Sequence, residues 1–236
     1  MKKKRSNVIF YVIISLAAVL FVAYFAGPNI LKAYIETGIG GCDKIPILCR
    51  SPEQEIKNPP IDKEFISNLL PYKFSRLSIS APRGFAVIQE LEKKPYYKKR
   101  LNRNKESVIF TFRQDPGYFV KLFPQAKKIG IRNNYEFIKQ LQFARTDKIK
   151  NINDAFFVIL KSIFTPDLGD QNKVVMASIE MPDRKGFINY NLFDKKYYFE
   201  CNIINEKGDF FKVYIKDVNR SLELNQVIGI LSTLKE

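Results

Sequence analysis

The chain has 236 residues, a length that suits one domain and one additional segment. Hydrophobic residues make up 46% of it and aromatic residues 14%, so it can build a core and lacks the composition of a disordered protein. Histidine is absent, which removes the commonest general base and the commonest metal ligand. The formal net charge of +15 favours acidic partners, although a lysine-rich composition also arises from genomic base composition alone.

An uncharged apolar segment lies near the N-terminus. Residues 8–26 read VIFYVIISLAAVLFVAYFA, 19 residues without a charge. As a helix this segment would be about 28 Å long, which matches a hydrocarbon core of about 30 Å. A cleaved signal peptide is the alternative, but a cut after Ala26 would place bulky Tyr24 where a small residue is needed. The sequence therefore predicts an uncleaved, single-pass signal anchor at residues 8–26.

The charges on either side of this segment predict its orientation. The basic tail at residues 1–7 holds four basic residues, whereas only Lys32 and Lys44 lie within about 20 residues after the span. The positive-inside rule then places the N-terminus in the cytoplasm and the main domain outside the cell (inner) membrane, in a periplasmic or equivalent envelope space. The part from residue 27 onward carries 35 basic and 24 acidic residues, but long domains translocate largely regardless of charge.

Residues 27–60 are predicted to form a juxtamembrane linker that contains Cys42 and Cys49. A disulfide between them would stabilise the fold by about 2.5 kcal/mol on the loop-entropy estimate, and it would persist in the oxidising compartment that the orientation implies. Free thiols and a functional cysteine pair remain alternatives. Ile39–Cys42 also resembles a lipoprotein cleavage box, although Lys32 and Glu36 separate it from the apolar run.

Residues 61–236 are predicted to form one α+β domain. The patterns predict strands at 74–80 and 85–91 joined by a tight turn, a strand at 107–113, and four strands at 174–180, 187–193, 197–204 and 210–216. Helices are predicted at 62–70, after the caps Asn134 and Asn153, and at 222–234 after Ser221. The helix after Asn153 should bury Ala155, Phe156, Ile159, Leu160 and Ile163. Short turns between the late strands favour an antiparallel sheet, with helices packed against it.

Three local pieces resemble the PsbP-like family of α/β/α sandwich domains. Residues 77–85 (LSISAPRGF) resemble its first strand and turn, residues 197–216 its late hairpin, and residues 228–235 (IGILSTLK) its final helix. The resemblance implies an α/β/α sandwich-like fold and a non-enzymatic accessory or assembly role on the outer side of a membrane. The anchor, the cysteine-bearing linker and a long basic segment depart from that pattern.

The basic segment at residues 93–105 is the leading candidate site, and it is predicted to be a loop. Seven of its 13 residues are basic and none is acidic. Such a loop could bind an anionic lipid surface, an acidic partner or nucleic acid, and a solvated hairpin tip is the alternative. The candidate binding residues are Lys93, Lys94, Tyr96, Tyr97, Lys98, Lys99, Arg100, Arg103 and Lys105.

The remaining candidates for chemistry are few. Cys201 falls on the inward side of a predicted strand, so we expect a core residue rather than a nucleophile. The pairs Glu180–Asp183 and Asp167–Asp170 lie at predicted turns, where solvated carboxylates are ordinary. The sequence therefore predicts a non-enzymatic, membrane-anchored binding or assembly factor of the envelope without cofactor or metal. A tethered hydrolase or transferase, and a nucleic-acid-binding module, are the alternatives.

Overall fold

The computed structural model describes residues 26–38, 41–74, 77–164, 174–193, 196–219 and 222–235. The chain divides into two compact units: one contains residues 1–49 and 144–164, and the other residues 50–143 and 165–236. No helix among the described residues is long and apolar enough to cross a membrane, and residues 8–25 of the predicted anchor lie outside them.

The first unit is helical in its described part. It contains α1 (26–38), α2 (Gly41–Lys44), a 3-10 turn at Pro46–Cys49 and α7 (Ile152–Phe164). Cys42 and Cys49 are joined by a disulfide with a Cα–Cα distance of 5.6 Å, which confirms the predicted bridge. The buried residues of α7 are Ala155, Phe157, Val158, Leu160 and Lys161.

The buried face of α7 is rotated from the predicted one. Ile163 was predicted to be buried, but 67% of it is exposed. Lys161 lies in the buried face instead, because its ammonium group donates a hydrogen bond to the carbonyl of Ala144 at 2.9 Å. An apolar count along the helix cannot anticipate that a lysine fills an inward position.

The second unit is mixed α+β and contains the strands. They are β1 (Gln54–Lys57), β2 (Leu70–Phe74), β3 (Leu77–Ala81), β4 (Ala86–Lys93), β5 (Tyr96–Arg103), β6 (Glu106–Arg113), β7 (Val175–Met181), β8 (Arg184–Phe193), β9 (Lys196–Asn205) and β10 (Phe210–Asp217). Eight of these described strands form one sheet in the order β1-β7-β8-β9-β10-β6-β5-β4. Neighbours are antiparallel except for β1 and β7, which are parallel.

The predicted antiparallel run of late strands is confirmed as β7 to β10. Alternation dictates its two faces: in β10, Phe211, Val213 and Ile215 are buried on one side, while the residues between them point to the other. Phe199 and Cys201 lie on the same side as this apolar row, as predicted for Cys201.

The helices of the second unit are α3 (Lys63–Ser67), α4 (Tyr118–Leu122), α5 (Gln125–Lys128), α6 (Asn134–Phe143) and α8 (Leu224–Ser232). Val227, Ile228 and Leu231 of α8 join the apolar core that includes Phe211 and Val213. The opposite face of the sheet meets α6, where the Tyr135 ring stacks on Phe187 with centroids 6.0 Å apart. We call these two faces the α8 side and the α6 side.

The predicted pairing of the first two strands is wrong. The strand that contains Leu77–Ala81 pairs with β2, in a separate two-stranded sheet, whereas β4 pairs with β5. The start of β2 was predicted to be the end of a helix, because Pro71 follows closely after the short helix α3. The turn at Ala81–Gly84 therefore connects two sheets rather than two hairpin strands.

Two predicted helix caps are displaced towards the N-terminus. The side chain of Asn133, rather than Asn134, accepts the hydrogen bond from the Glu136 amide at 2.9 Å. In the same way Asn151, rather than Asn153, accepts from the amides of Asn153 and Asp154. Both pairs of asparagines are close in sequence, and a cap is favoured wherever the side chain reaches the amide three residues on.

The closing helix begins after Glu223, and the predicted cap Ser221 lies outside the described residues. The side-chain oxygen of Gln226 accepts a hydrogen bond from the Glu223 amide at 2.9 Å, so glutamine occupies the position expected in a capping box.

Candidate functional site

The basic segment predicted as a loop is a strand. Residues 96–103 form β5, which pairs with β4 on one side and β6 on the other. Asn104 adopts a φ of +53°, a conformation that asparagine tolerates better than most residues, and closes the turn to β6. The hairpin was not predicted because Lys99 and Arg103 fill two inward positions where a strand usually carries apolar residues.

Alternation along β5 splits the predicted binding residues between the two faces of the sheet. On the α8 side, Tyr97 stacks on Phe112 with centroids 5.7 Å apart. Only 5% of Lys99 is exposed, and its ammonium group contacts the carbonyl of Lys73 and lies 2.7 Å from a Glu90 carboxylate oxygen. These two side chains therefore support the fold and are turned away from a partner on the α6 side.

Arg103 is also engaged within the protein. Its guanidinium donates to the Glu106 carboxylate at 2.7 Å and to the Arg83 carbonyl at 2.8 Å, and it lies 4.7 Å from the centre of the Phe85 ring. Lys94 and Lys105 are exposed in the turns at the two ends of β5. Tyr96, Lys98 and Arg100 point to the α6 side, as does Lys93 at the end of β4 by its register with Tyr96.

The neighbouring strands add basic residues to the α6 side that the sequence reasoning missed. Lys212 is opposite Thr111, and Thr111 is opposite Lys98. The next register positions align Tyr214 with Ile109 and Arg100. We define the basic face as the α6-side residues Lys98, Arg100, Thr111, Arg113, Lys212, Tyr214 and Lys216. The signal that could have found it is the alternation of Lys212, Tyr214 and Lys216 with the buried row of β10.

The basic face has little internal compensation. Among the described α6-side residues of β5, β6 and β10, five are cationic and none is acidic. Glu200 on β9 is 2% exposed and binds Lys212, with 2.5 Å between the carboxylate oxygen and the ammonium nitrogen. Within the described part of the chain, Lys98 and Lys216 make no ion pair. The positive charge of this face is therefore only partly balanced within the described residues.

Arg113 is held rigidly at one end of the basic face. Its guanidinium carbon lies 3.4 Å from the centre of the Tyr96 ring and 4.8 Å from the centre of the Tyr118 ring. Burial lowers the pKa of Arg113, while both tyrosines act in the opposite direction. Cation–π contacts of this kind already restrict the rotation of a guanidinium. It therefore loses less rotational freedom when it binds an anion.

The geometry suits binding of a negatively charged group. Strands β5 and β10 flank β6, so the backbones that carry Lys98 and Lys212 are about 10 Å apart. Lys98 is long enough to reach over Thr111, whose hydroxyl can donate to the same anion, whereas Lys212 is paired with Glu200 on the other side of β10. Arg100 and Asn102 carry a buried Nε and a buried Oδ1, respectively, that have no hydrogen-bond partner within the described residues.

The other candidate catalytic residues do not form a catalytic site within the described part of the chain. Cys201 is fully buried, and burial, with a smaller effect of Glu200, raises the pKa of its thiol. The Arg184 guanidinium holds the pKa of Asp183 below its ordinary value. Asp167 and Asp170 lie outside the described residues.

A cavity of about 520 Å³ lies at the turn between β9 and β10, lined in part by Asp183, Arg184 and Glu206. Its arginine already donates to the carbonyls of Leu231 and Leu234 at 2.9 Å. The hydroxyl of Ser232, also in its lining, donates to the Gly229 carbonyl at 2.7 Å. Arg184 and Ser232 therefore stabilise the end of α8, and the described lining contains no nucleophile beside a base.

The buried lysine of the first unit should make stability depend on pH. Burial, and secondarily the charge of Arg145, lowers the pKa of Lys161 to about 7, whereas an unfolded lysine titrates near 10.4. The unfolded state then binds more protons between these values, so stability rises with pH. We expect the free energy of unfolding to rise by about 2 kcal/mol from pH 6.5 to pH 8.5 relative to a Lys161→Met variant. Urea titrations of both proteins measure this difference, and parallel pH profiles would contradict it.

Comparison of the chain with protein-family models and with curated protein sequences finds no match.

Proposed function

We propose that this protein is a membrane-tethered, non-enzymatic binding or assembly factor that binds an anionic partner through the basic face. The observation that carries this proposal is the unbalanced charge on β5, β6 and β10, where five cations share one side of the sheet with Glu200 as the nearest counter-charge on β9. Tyr96 and Tyr214 add flat, amphipathic surface beside these charges. The partner is an anionic component of the envelope: an acidic protein complex, a wall polymer or lipid headgroups.

The proposed location rests on two features of the sequence and one of the structure. Residues 8–26 form the anchor, and residues 1–7 form the basic cytoplasmic tail. The disulfide between Cys42 and Cys49 supports a domain outside the cytoplasm, since disulfides persist in oxidising compartments. The second unit then faces the outer surface of the cell (inner) membrane.

The proposed architecture of the second unit is an α/β/α sandwich, as in the PsbP-like family. Contacts of α8 with one side of the sheet and of α6 with the other support it. The accessory and assembly roles of that family agree with a binding function. In this architecture the separate β2–β3 pair and the parallel strand β1 are additions to the sandwich.

A thiol-labelling experiment on intact cells tests the location. The full chain is treated with a membrane-impermeant maleimide before and after reduction. We expect labelling only after reduction, because Cys42 and Cys49 are bridged and Cys201 is fully buried. A variant with Cys42→Ser and Cys49→Ser is the control and should remain unlabelled in both conditions.

Labelling that requires cell lysis would contradict the proposed location. The second unit would then face the cytoplasm, and nucleic acid would become the leading partner. The observation that favours nucleic acid as the second candidate is the presence of Tyr96 and Tyr214 among basic side chains, since bases stack on such rings.

A further inference from the structure

Arg100 and Asn102 carry buried polar atoms that lack hydrogen-bond partners. The two residues are two positions apart in β5, so both side chains lie on the α6 side of the sheet. Among the described residues, nothing bonds to the Nε donor of Arg100 or to the Oδ1 acceptor of Asn102. Buried polar groups are normally satisfied, and an exception indicates a specific cause such as a bound ligand or water. A donor and an acceptor on one face of one strand therefore indicate a site for a molecule that offers both kinds of group.

Ser107 and Lys216 lie beside Asn102 on the same face. Asn102 is opposite Ser107 of β6, and Ser107 is opposite Lys216 of β10. The backbones of β5 and β10 are about 10 Å apart, with the short side chain of Ser107 between the two longer ones. This row of side chains is therefore lower over Ser107 than on either side. We define the Ser107 depression by Arg100, Asn102, Ser107 and Lys216.

The Ser107 depression favours an anionic group. Arg100 and Lys216 are cationic and half-buried, so a molecule from solvent can reach them, and Lys216 makes no ion pair in the part of the chain that the structure describes. A hydrogen bond from a cationic donor to an anionic oxygen is about twice as strong as one between neutral groups. The hydroxyl of Ser107 can donate to the same oxygen. A carboxylate or a phosphate therefore matches these three side chains.

Asn102 requires a second group on the ligand. Its Oδ1 only accepts hydrogen bonds, so an anionic oxygen beside it would leave it unsatisfied. An ammonium group would donate to it, but the positive charges of Arg100 and Lys216 disfavour an ammonium group here. A hydroxyl group next to the anionic group satisfies both requirements. Tyr214, two residues before Lys216 on the same face of β10, adds a flat ring against which a sugar ring can pack.

We propose that the Ser107 depression binds an acidic saccharide, with the anionic group between Arg100 and Lys216 and an adjacent hydroxyl donating to Asn102. This assignment rests on the proposed function of the basic face and narrows its partner. Among the anionic components of the envelope, it selects an acidic wall polysaccharide over an acidic protein, because the carboxylates of a protein have no hydroxyl group beside them.

Two probes of equal charge test this assignment. The full chain in neutral detergent is titrated with fluorescent oligogalacturonate, whose carboxylates lie beside ring hydroxyls, and with oligoglutamate of the same number of carboxylates. We expect oligogalacturonate to bind about tenfold more tightly, because one additional hydrogen bond to a buried acceptor has this effect. Asn102→Leu should abolish the preference without lowering Tm, since the acceptor that it removes is unsatisfied in the free protein.

Two further variants separate this assignment from anion binding in general. Lys216→Met removes a positive charge but retains the acceptor, so it should weaken the binding of both probes to a similar degree. Asn153→Leu makes the same substitution as Asn102→Leu in α7, outside the second unit, and should keep both affinities within about twofold of the wild type.

Equal affinity of the wild type for the two probes, which is expected if an ordered water alone satisfies Asn102, would overturn the saccharide assignment. A preference for oligogalacturonate that survives Asn102→Leu would overturn it as well. Both results would leave anion binding by the basic face intact. Failure of both probes to bind would overturn the proposed function together with this assignment.

Discussion

Replacing Gly186 with alanine is expected to lower the free energy of unfolding by about 3 kcal/mol or more. Gly186 lies in β8, directly opposite Ile203 of β9. An added Cβ would collide with the carbonyl oxygen of Asn202 and come within 2.9 Å of the Asn202 carbonyl carbon and the Ile203 Cα. These are backbone atoms in a strand paired on both sides, so they cannot move aside without breaking the ladder. Circular dichroism should show a fall in Tm of about 6–12 °C.

A glycine elsewhere in the same unit supplies the control. In α8, a Cβ at Gly229 would meet Phe65 at 3.4 Å and Ile66 at 3.5 Å, which is ordinary packing contact. Because alanine has the higher helix propensity, Gly229→Ala should leave Tm unchanged or raise it. Equal losses in both variants would show that the close approach of β8 and β9 does not require glycine at position 186.

Replacing Asn134 with alanine is expected to cost about 3 kcal/mol, through unsatisfied hydrogen-bonding groups rather than a steric clash. Asn134 is fully buried. Its amide oxygen accepts from the Phe119 amide at 3.1 Å, and its amide nitrogen donates to the carbonyls of Asp115 at 2.7 Å and Gly208 at 2.9 Å. One side chain therefore connects the start of α4, the start of α6 and the turn between β9 and β10. Its removal leaves three backbone groups, the buried Phe119 amide and two partly buried carbonyls, without this partner.

Substitution of the adjacent residue, Asn133, distinguishes the connecting role of Asn134 from helix capping. Asn133→Ala removes only the cap of α6 and should cost about 1 kcal/mol. Asn134→Asp retains an acceptor for the Phe119 amide but replaces the amide nitrogen with a carboxylate oxygen that faces two carbonyls, so it should be no more stable than Asn134→Ala. Urea unfolding of the three variants gives the order, and a larger loss for Asn133→Ala would contradict it.

The parts of the fold that follow from local pattern were predictable from the sequence. From Phe211 to Lys216 in β10, buried apolar residues alternate with Lys212, Tyr214 and Lys216. The short turn at residues 206–209 makes the chain reverse direction before this strand. The buried position of Cys201 followed from the same alternation in β9. These elements carry their own periodicity, so no distant contact is needed to identify them.

Strand β5 was not predicted because two of its inward positions, Lys99 and Arg103, are basic. Lys99 takes a place that an apolar residue usually fills, and it does so because Glu90 and the Lys73 carbonyl satisfy its charge. Both partners belong to other strands, and sequence alone cannot reveal them. Strand β1 was not predicted for a related reason, since its parallel partner β7 is more than a hundred residues away in the sequence.

The candidate site was predicted in part. Tyr96, Lys98 and Arg100 do share a face, but Lys212 and Lys216 come from a strand at the other end of the sequence. Their proximity to β5 depends on the insertion of β6 between β5 and β10, a property of topology rather than of composition. Basic residues clustered in sequence were thus divided between faces, while basic residues distant in sequence were brought together.

Matched charge reversal tests most directly whether the basic face binds an anionic partner. The full chain in neutral detergent is titrated with fluorescent polyglutamate, dextran sulfate and single-stranded DNA at physiological ionic strength, and anisotropy reports the affinity. The first variant carries Lys98→Glu and Lys216→Glu, which alter the basic face. The second carries Lys63→Glu and Lys235→Glu, which change the net charge equally at exposed positions outside that face.

We expect the basic-face variant to lose about tenfold or more in affinity for at least one probe, while the control variant stays within about twofold, because charges beyond the Debye length of about 8 Å are screened. The probe with the largest difference identifies the class of partner. Equal losses in the two variants, or no loss in either, would contradict a binding role for the basic face.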